Sequence, residues 1–83
     1  MNAIHVRYTG ATDTRGSRMI ATASAPEGRL SIPYPYEAGE GEAAHRVAAE
    51  ALADRLGWSD GYALAGGRLP DGSYAFVLVE KDR

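Results

Sequence analysis

The chain contains no cysteine, one tryptophan, one phenylalanine and one lysine among its 83 residues. The absence of cysteine excludes a disulfide framework, a thiolate metal site and a thiol nucleophile. The longest apolar runs span only a few residues, which excludes a transmembrane helix, and the basic and apolar segments of a signal peptide are missing. These absences predict one small soluble domain over residues 1–83 that acts in the cytoplasm and binds no membrane.

The net charge of −2 hides an uneven distribution. Residues 1–30 carry four arginines against two acids, whereas residues 37–60 carry six acids against two arginines. Either the two regions neutralise each other within the fold, or they lie apart and give the molecule two faces of opposite sign. The overall acidity argues weakly against nucleic acid as the main ligand.

Hydrophobic periodicity predicts five strands and one helix. Apolar and polar residues alternate over 4–9, 18–24 and 29–34, and two further strand patterns, 62–69 and 74–79, flank a Pro-Asp-Gly turn. Apolar residues at helical spacing predict a helix from about Gly41 to Leu56. The order βββ-α-ββ predicts an α+β domain with a five-stranded, mostly antiparallel sheet and one helix on one of its faces.

Local signals refine the predicted fold. The apolar run 76–79 predicts a central position for the last strand, and the prolines at the end of the third strand mark that strand as an edge. The pair Gly66 and Gly67 predicts a bulge. Gly57 and Trp58 predict a Schellman motif at the end of the helix, and Gly39 or Gly41 is expected to begin it.

The predicted helix has a buried stripe and an acidic opposite face. The residues spaced as the stripe are Ala44, Val47, Ala48, Ala51, Leu52 and Leu56. The residues predicted to face solvent are Glu42, Arg46, Glu50 and Asp54. Such a face is usually only solvated, but by charge complementarity it could also occupy a nucleic-acid-binding groove on a partner protein.

The inventory for catalysis is small. His5 and His45 are the only imidazoles, and no nucleophile elbow, phosphate-binding loop or dinucleotide fingerprint is present. Glu42 and His45 have the i, i+3 spacing that holds metals in helical bundles, but the third ligand would have to be His5 from a distant strand. We therefore predict no metal, no cofactor and no enzymatic activity, with His45 solvated or in the first turn of the helix.

The loop 9–18 is rich in hydroxyls, glycine and arginine, the groups that recognise phosphate or carboxylate. Its Arg15 and Arg18 have three interpretations. They pair with Asp13 or with the acidic helix in a self-bonded connection, they contact phosphate, or they contact a protein.

Tyr34 and Tyr36 lie in a stiff proline-containing segment that needs little ordering on binding. Tyrosines in such a segment anchor protein interfaces or stack on unpaired bases. The alternative is that Tyr34 covers the sheet and Tyr36 packs at the start of the helix.

The sheet face without a helix is a further candidate surface. If it displays tyrosines beside Arg7 or Arg68, it would bind single-stranded nucleic acid or a protein, and it would equally serve as the interface of a homodimer. The spacing leaves open which of the tyrosines reach this face.

Five motifs carry a resemblance over nearly the whole chain: IHVRY at 4–8, TDTRGSR at 12–18, PY at 33–34, AHxxAAxAL at 44–52 and GW at 57–58. With them the chain resembles small accessory proteins encoded by phages, prophages and plasmids. The resemblance implies the company of mobile elements, among which anti-CRISPR and other anti-defence inhibitors of this size are common. It carries over no catalytic residue.

The leading hypothesis is a non-enzymatic binding protein of a mobile genetic element that inhibits a host defence complex by protein–protein contact. The residues predicted to contact this host or phage protein complex are Arg15, Arg18, Tyr34, Tyr36, Glu42, Glu50 and Asp54. The second hypothesis is a small nucleic-acid-binding module that uses the loop and exposed tyrosines. Its predicted contacts are Arg7, Arg15, Arg18 and Tyr34.

Overall fold

The computed structural model describes residues 3–10, 16–24, 28–39, 41–58 and 61–80. The α+β fold and its βββ-α-ββ order are confirmed. The elements are β1 (Ala3–Thr9), β2 (Arg18–Ala23), β3 (Arg29–Pro33), a short 3-10 helix (Tyr36–Ala38), α1 (Glu42–Arg55), β4 (Tyr62–Arg68) and β5 (Tyr74–Glu80).

The five strands form one antiparallel sheet in the order β3-β2-β1-β5-β4. Strand β5 lies between β1 and β4, as its apolar run predicts, and β3 is an edge strand, as its prolines predict. Helix α1 packs against all five strands. Because directly opposite residues of antiparallel strands point to the same side, the register divides the strand side chains between the helix face and the open face.

The core lies between α1 and the helix face of the sheet. Its buried residues are Ile4, Val6, Met19, Ala21, Ala44, Ala48, Ala49, Leu52, Ala53 and Phe76. Alanine is the main contribution of α1, so the backbone of the helix approaches the sheet closely. Most of the large side chains that fill the core therefore come from the strands, with Phe76 the largest.

The buried side of α1 differs from the predicted stripe. His45, Ala49 and Ala53 are buried, whereas Val47 is 36% exposed. Alanine occupies six of the positions 43–53. Hydrophobicity alone therefore does not determine which side of the helix faces the sheet. In the observed orientation of α1 about its axis, the His45 ring contacts the Tyr74 ring at a centroid distance of 4.3 Å.

The prediction that Arg46 faces solvent is also wrong. Its guanidinium donates from Nη1 to the carbonyl oxygen of Leu64 at 2.5 Å and from Nη2 to Glu42 Oε2 at 2.7 Å. The same group lies 5.3 Å from the centroid of the Phe76 ring. The long side chain of Arg46 lets its charged end reach across the edge of the helix, and its aliphatic part covers apolar surface. Arg46 thus ties α1 to β4.

Both helix ends agree with the sequence. At the C-terminus, Gly57 adopts a φ of 76° and donates to the Asp54 carbonyl at 3.1 Å, while Trp58 donates to the Ala53 carbonyl at 2.8 Å. These two bonds form the predicted Schellman motif. Gly41 is the N-cap residue.

No helix in the described part of the chain is long and apolar enough to cross a membrane.

The predicted bulge at Gly66 and Gly67 is wrong. The pairing of β4 with β5 is continuous, from Tyr62 opposite Glu80 to Arg68 opposite Tyr74. Glycine is needed at position 66 for another reason, because a Cβ there would lie 2.2 Å from Cδ1 of Phe76. This glycine therefore marks a place where a ring packs directly on the strand backbone.

Candidate functional site

A cleft lies where the adjoining ends of β1 and β2 meet the segment that connects β3 to α1. Its volume is about 440 Å³. The described residues that line it are Tyr8, Ser17, Tyr34, Tyr36, Gly39 and His45. We call this surface the tyrosine cleft.

The tyrosine rings of the cleft hold one another in place. Tyr8 and Tyr34 meet edge to face at a centroid distance of 5.7 Å, and Tyr34 and Tyr36 lie 4.8 Å apart. The Tyr8 hydroxyl bonds to Ser17 Oγ at 3.0 Å, and the Tyr34 hydroxyl donates to the Gly39 carbonyl at 3.0 Å. Tyr8 remains 51% exposed and Tyr36 72% exposed. The cleft therefore offers ordered aromatic surface to solvent.

His45 lies in the first turn of α1, one of the two predicted placements, and is only 7% exposed. Its Nδ1 is 2.7 Å from the carbonyl oxygen of Gly41. Since a carbonyl only accepts, Nδ1 carries the proton of this bond, and in the neutral ring Nε2 then presents a lone pair. Nε2 is buried and has no hydrogen-bond partner among the described residues. A residue that lines the cleft thus holds an unsatisfied acceptor.

The two histidines do not form a common metal site. The register places His5 on the open face, since it lies opposite Thr22 and Ala75, whereas His45 lies on the other side of the sheet. Glu42 is engaged by Arg46. Within the described ranges, no group of three His, Asp or Glu side chains is arranged to hold a metal ion.

A chain of hydrogen bonds that the sequence analysis missed joins β1 to the β4–β5 turn. Ser73 donates to Asp71 Oδ1 from its hydroxyl at 2.5 Å and from its backbone nitrogen at 2.9 Å. Because that hydroxyl proton points at Asp71, Ser73 Oγ accepts from His5 Nε2, 2.9 Å away. These hydrogen bonds link the β4–β5 turn to strand β1.

The pKa of Asp71 is held below its usual value of 3.8, first by the Ser73 hydroxyl, then by the Ser73 backbone N–H, with a smaller effect of the His5 charge. A lowered pKa in the folded state adds stability above the pKa of the unfolded chain, about 3.9. This stability is lost as the pH falls through the lower, folded value.

Replacement of Asp71 by asparagine is therefore expected to lower stability at pH 7 and to flatten its pH dependence below about pH 4. Urea unfolding of both proteins between pH 7 and pH 2.5 measures this effect. Glu80→Gln is the control, because the pKa of Asp71 does not depend on that residue. Equal acid sensitivity of Asp71→Asn and the wild type would contradict the prediction.

The residues predicted to contact a partner lie on separate surfaces. Tyr34 and Tyr36 share the tyrosine cleft, but Tyr36 is mostly exposed rather than packed at the helix start. Arg18 lies on the open face, where Nε donates to Ser31 Oγ at 2.7 Å and Nη2 donates to the Ser31 carbonyl at 3.1 Å. Arg15 lies outside the described residues.

The three predicted acids lie along α1. Glu42, Glu50 and Asp54 are all exposed, and Glu42 forms its ion pair with Arg46 at 2.7 Å. Glu50 and Asp54 line a groove of about 250 Å³ between α1 and β4, beside Tyr62. Two exposed carboxylates therefore border an edge of the sheet.

The open face carries the opposite charge. Its cationic strand residues are Arg7, Arg18 and Arg29. Among the described strand residues that the register assigns to this face, none is Asp or Glu. The strand tyrosines lie on the other side, since Tyr8, Tyr62 and Tyr74 share the helix face, and Tyr34 packs against the core. Within the described strand residues, the three arginines of the open face thus have no tyrosine beside them, whereas Arg68, opposite Tyr74, lies on the helix face and not on the open one.

Comparison of the chain with protein-family models, with curated proteins and with solved structures gives no significant match. The site is therefore interpreted from its own geometry. Tyr34 and Tyr36 were predicted from the sequence as contact residues, but the cleft and its residues Ser17 and His45 were not. No local pattern marks those two, because Ser17 meets Tyr8 through the pairing of β1 with β2, and His45 reaches the cleft through the packing of α1 on the sheet.

Proposed function

We propose that this protein is a non-catalytic binding protein of a mobile genetic element, which inhibits a host defence complex by protein–protein contact through the tyrosine cleft. The observation that carries the proposal is the grouping of Tyr8, Tyr34 and Tyr36 around one cleft, with two of the rings at least half exposed. Tyrosine is enriched among the residues that dominate binding energy at protein interfaces.

The order of the cleft supports a binding role. Two of its tyrosine hydroxyls are hydrogen-bonded and its rings contact one another. A partner therefore has to immobilise little of this surface, which lowers the entropic cost of association.

The class of partner is inferred from charge and from the resemblance to mobile-element proteins. The exposed carboxylates Glu50 and Asp54 favour a basic partner surface, such as the nucleic-acid-binding groove of a defence complex in the host cytoplasm. Tyr62, 43% exposed, borders the same groove as these acids and lies on the edge strand β4.

Affinity capture from host cells that carry a CRISPR or other defence system, followed by mass spectrometry, tests the proposal. The wild-type protein is expected to retain a defence component, and Tyr36→Ala is expected to reduce its recovery at least about tenfold, as for a residue at the centre of an interface. Val79→Ala is the control, because it shortens an exposed apolar side chain outside both the cleft and the acidic groove, and it should change recovery less.

Two results would count against this function. One is the absence of any defence component in the captured material. The other is equal recovery by wild type and Tyr36→Ala, which would remove the cleft from the interface.

A second candidate function is binding of single-stranded nucleic acid on the open face. Arg7, Arg18 and Arg29 favour it, because they lie on a face whose described strand residues include no carboxylate, and clustered arginines attract phosphate. The tyrosines lie elsewhere, so this mode would depend on backbone contacts with little base stacking.

A salt titration tests this second function. An oligonucleotide should bind at low salt and dissociate steeply as salt rises, and replacing exposed Arg7 with alanine should reduce the slope of log K against log salt by about 1. Absence of binding at low salt would eliminate this function.

A further inference from the structure

We propose that the tyrosine cleft receives an aromatic side chain of the partner, tryptophan or tyrosine, whose N–H or O–H donates to His45 Nε2. This inference rests on the proposed function, because it names the chemical group that the partner inserts. The occupant is identified by three properties of the cleft: its unsatisfied acceptor, the uncharged side chains of its described lining and its aromatic walls.

The unsatisfied acceptor requires a donor from outside. Nδ1 of His45 is committed to the Gly41 carbonyl, and Nε2 is buried without a partner among the described residues. Buried polar atoms in proteins are nearly always hydrogen-bonded to protein, ligand or water, so the unpaired Nε2 of a residue that lines the cleft lacks a partner that a ligand can supply. His45 is 7% exposed and lines the cleft.

The lining favours an uncharged group. Among the described lining residues none is Asp, Glu, Arg or Lys. A cation or an anion would lose its hydration there without gaining a counter-charge, at a considerable cost. A phenol or indole loses little hydration and still supplies one donor.

The walls match an aromatic ring. Aromatic pairs prefer edge-to-face or offset arrangements with centroids about 4.5–7 Å apart, and the tyrosines already meet one another in this range. A volume of about 440 Å³ accommodates one large aromatic side chain. Tryptophan and tyrosine are also the side chains most enriched at the centre of interfaces.

An NMR titration of the ¹⁵N-labelled protein with indole and with 1-methylindole tests this inference, since the two probes differ in the ring N–H. Indole is expected to shift the amide signals of Gly39, Gly41 and His45 and to bind about three- to tenfold more tightly than 1-methylindole, the value of one net hydrogen bond. Tyr36→Ala should weaken indole binding, and Tyr62→Ala should leave it unchanged.

The variant His45→Phe keeps an aromatic ring beside Tyr74 but has no acceptor, so it should bind both probes equally. If this variant does not fold, the comparison of the two probes on the wild-type protein still decides the question. Equal binding of indole and 1-methylindole by the wild type, or shifts confined to residues outside the cleft, would overturn the inference.

Uridine distinguishes a protein side chain from a nucleobase, because its ring also carries an N–H. Tighter binding of uridine than of indole would overturn the assignment to a protein side chain. Capture of a defence component that depends on Tyr36, together with no binding of indole, would overturn only this assignment and leave the proposed function standing. Binding of indole at the cleft without capture of such a component would uphold the ligand chemistry and refute the proposed function.

Discussion

Replacing Gly66 with alanine is expected to destabilise the protein by about 1–3 kcal/mol, the usual cost of forcing extra atoms into a packed site. The added Cβ would lie 2.2 Å from Cδ1 and 2.4 Å from Cε1 of Phe76, and 2.9 Å from the carbonyl oxygen of Ala75. Phe76 is fully buried in the core. Its ring therefore cannot move away without disturbing neighbours, and the carbonyl belongs to the paired strand β5.

Gly67→Ala is the matched control for this prediction. A Cβ at Gly67 meets no atom within 4 Å, and the residue lies next to Gly66 in the same strand. We expect its effect to stay within about 0.5 kcal/mol, as for other surface substitutions. Urea unfolding measures both variants, and similar losses would show that the Phe76 ring does not require glycine at position 66.

A double variant separates steric overlap from other effects. Phe76→Leu alone shrinks a core side chain, and together with Gly66→Ala it provides room for the new methyl group. The combined loss of stability should therefore be smaller than the sum of the two single losses, by at least about 0.5 kcal/mol. Simple additivity would contradict the steric explanation.

The second large effect is expected for Arg46→Ala, with a loss of about 1–3 kcal/mol. The substitution removes the hydrogen bond to the Leu64 carbonyl, the contact of the guanidinium with the Phe76 ring and the aliphatic part of the side chain. These contacts join α1 to β4. We therefore also expect Arg46→Ala to accelerate amide hydrogen exchange, relative to the wild type, more in β4 than in β1.

Glu42→Gln is the control for Arg46, because it removes only the ion pair. That pair is partly exposed, with 30% of the Arg46 side chain and 49% of the Glu42 side chain accessible. Pairs of this kind contribute about 0.5 kcal/mol or less. Arg46→Lys should recover little of the loss, because an ammonium lacks the planar fork of the guanidinium. Equal losses of stability in Glu42→Gln and Arg46→Ala would show that the contacts of Arg46 beyond its ion pair do not stabilise the protein.

The secondary structure was predictable where short-range chemistry decides it. Gly57 and Trp58 predicted the helix end because the Schellman motif needs a residue that adopts positive φ, followed by a backbone donor. Pro33 in β3 and Pro35 just after it predicted an edge strand, because proline cannot donate a hydrogen bond to a neighbouring strand. These signals depend on the local backbone, so they do not require knowledge of the tertiary contacts.

The rotation of α1 and the role of Gly66 were not predictable in the same way. Alanines around the helix leave several faces nearly equal in hydrophobicity, and the sequence then gives no reason to bury His45 and expose Val47. A glycine within a strand fits a bulge and a close ring contact equally well. In each case the deciding contact comes from a residue of another element, Tyr74 of β5 for His45 and Phe76 of the paired strand β5 for Gly66.

The residues of the tyrosine cleft were also only partly predictable from the sequence. Tyr34 and Tyr36 stood out in the sequence because their proline neighbours give them a stiff backbone. Tyr8, Ser17 and His45 did not, since the cleft exists only where the end of β1, the start of β2 and the first turn of α1 meet. His45 Nε2 is buried and unpaired because of how these three segments pack together.

By itself, the sequence determined the order of the elements, the edge and central strands, the ends of the helix and the lack of thiol chemistry, because each follows from local backbone preferences or composition. It also showed that basic and acidic residues occupy different parts of the chain. Only the tertiary structure decided that the arginines of β1, β2 and β3 share the open face, on the other side of the sheet from Glu42, Glu50 and Asp54 of α1. Strand register and helix packing are set by contacts between distant residues, and these contacts assign each side chain to a face.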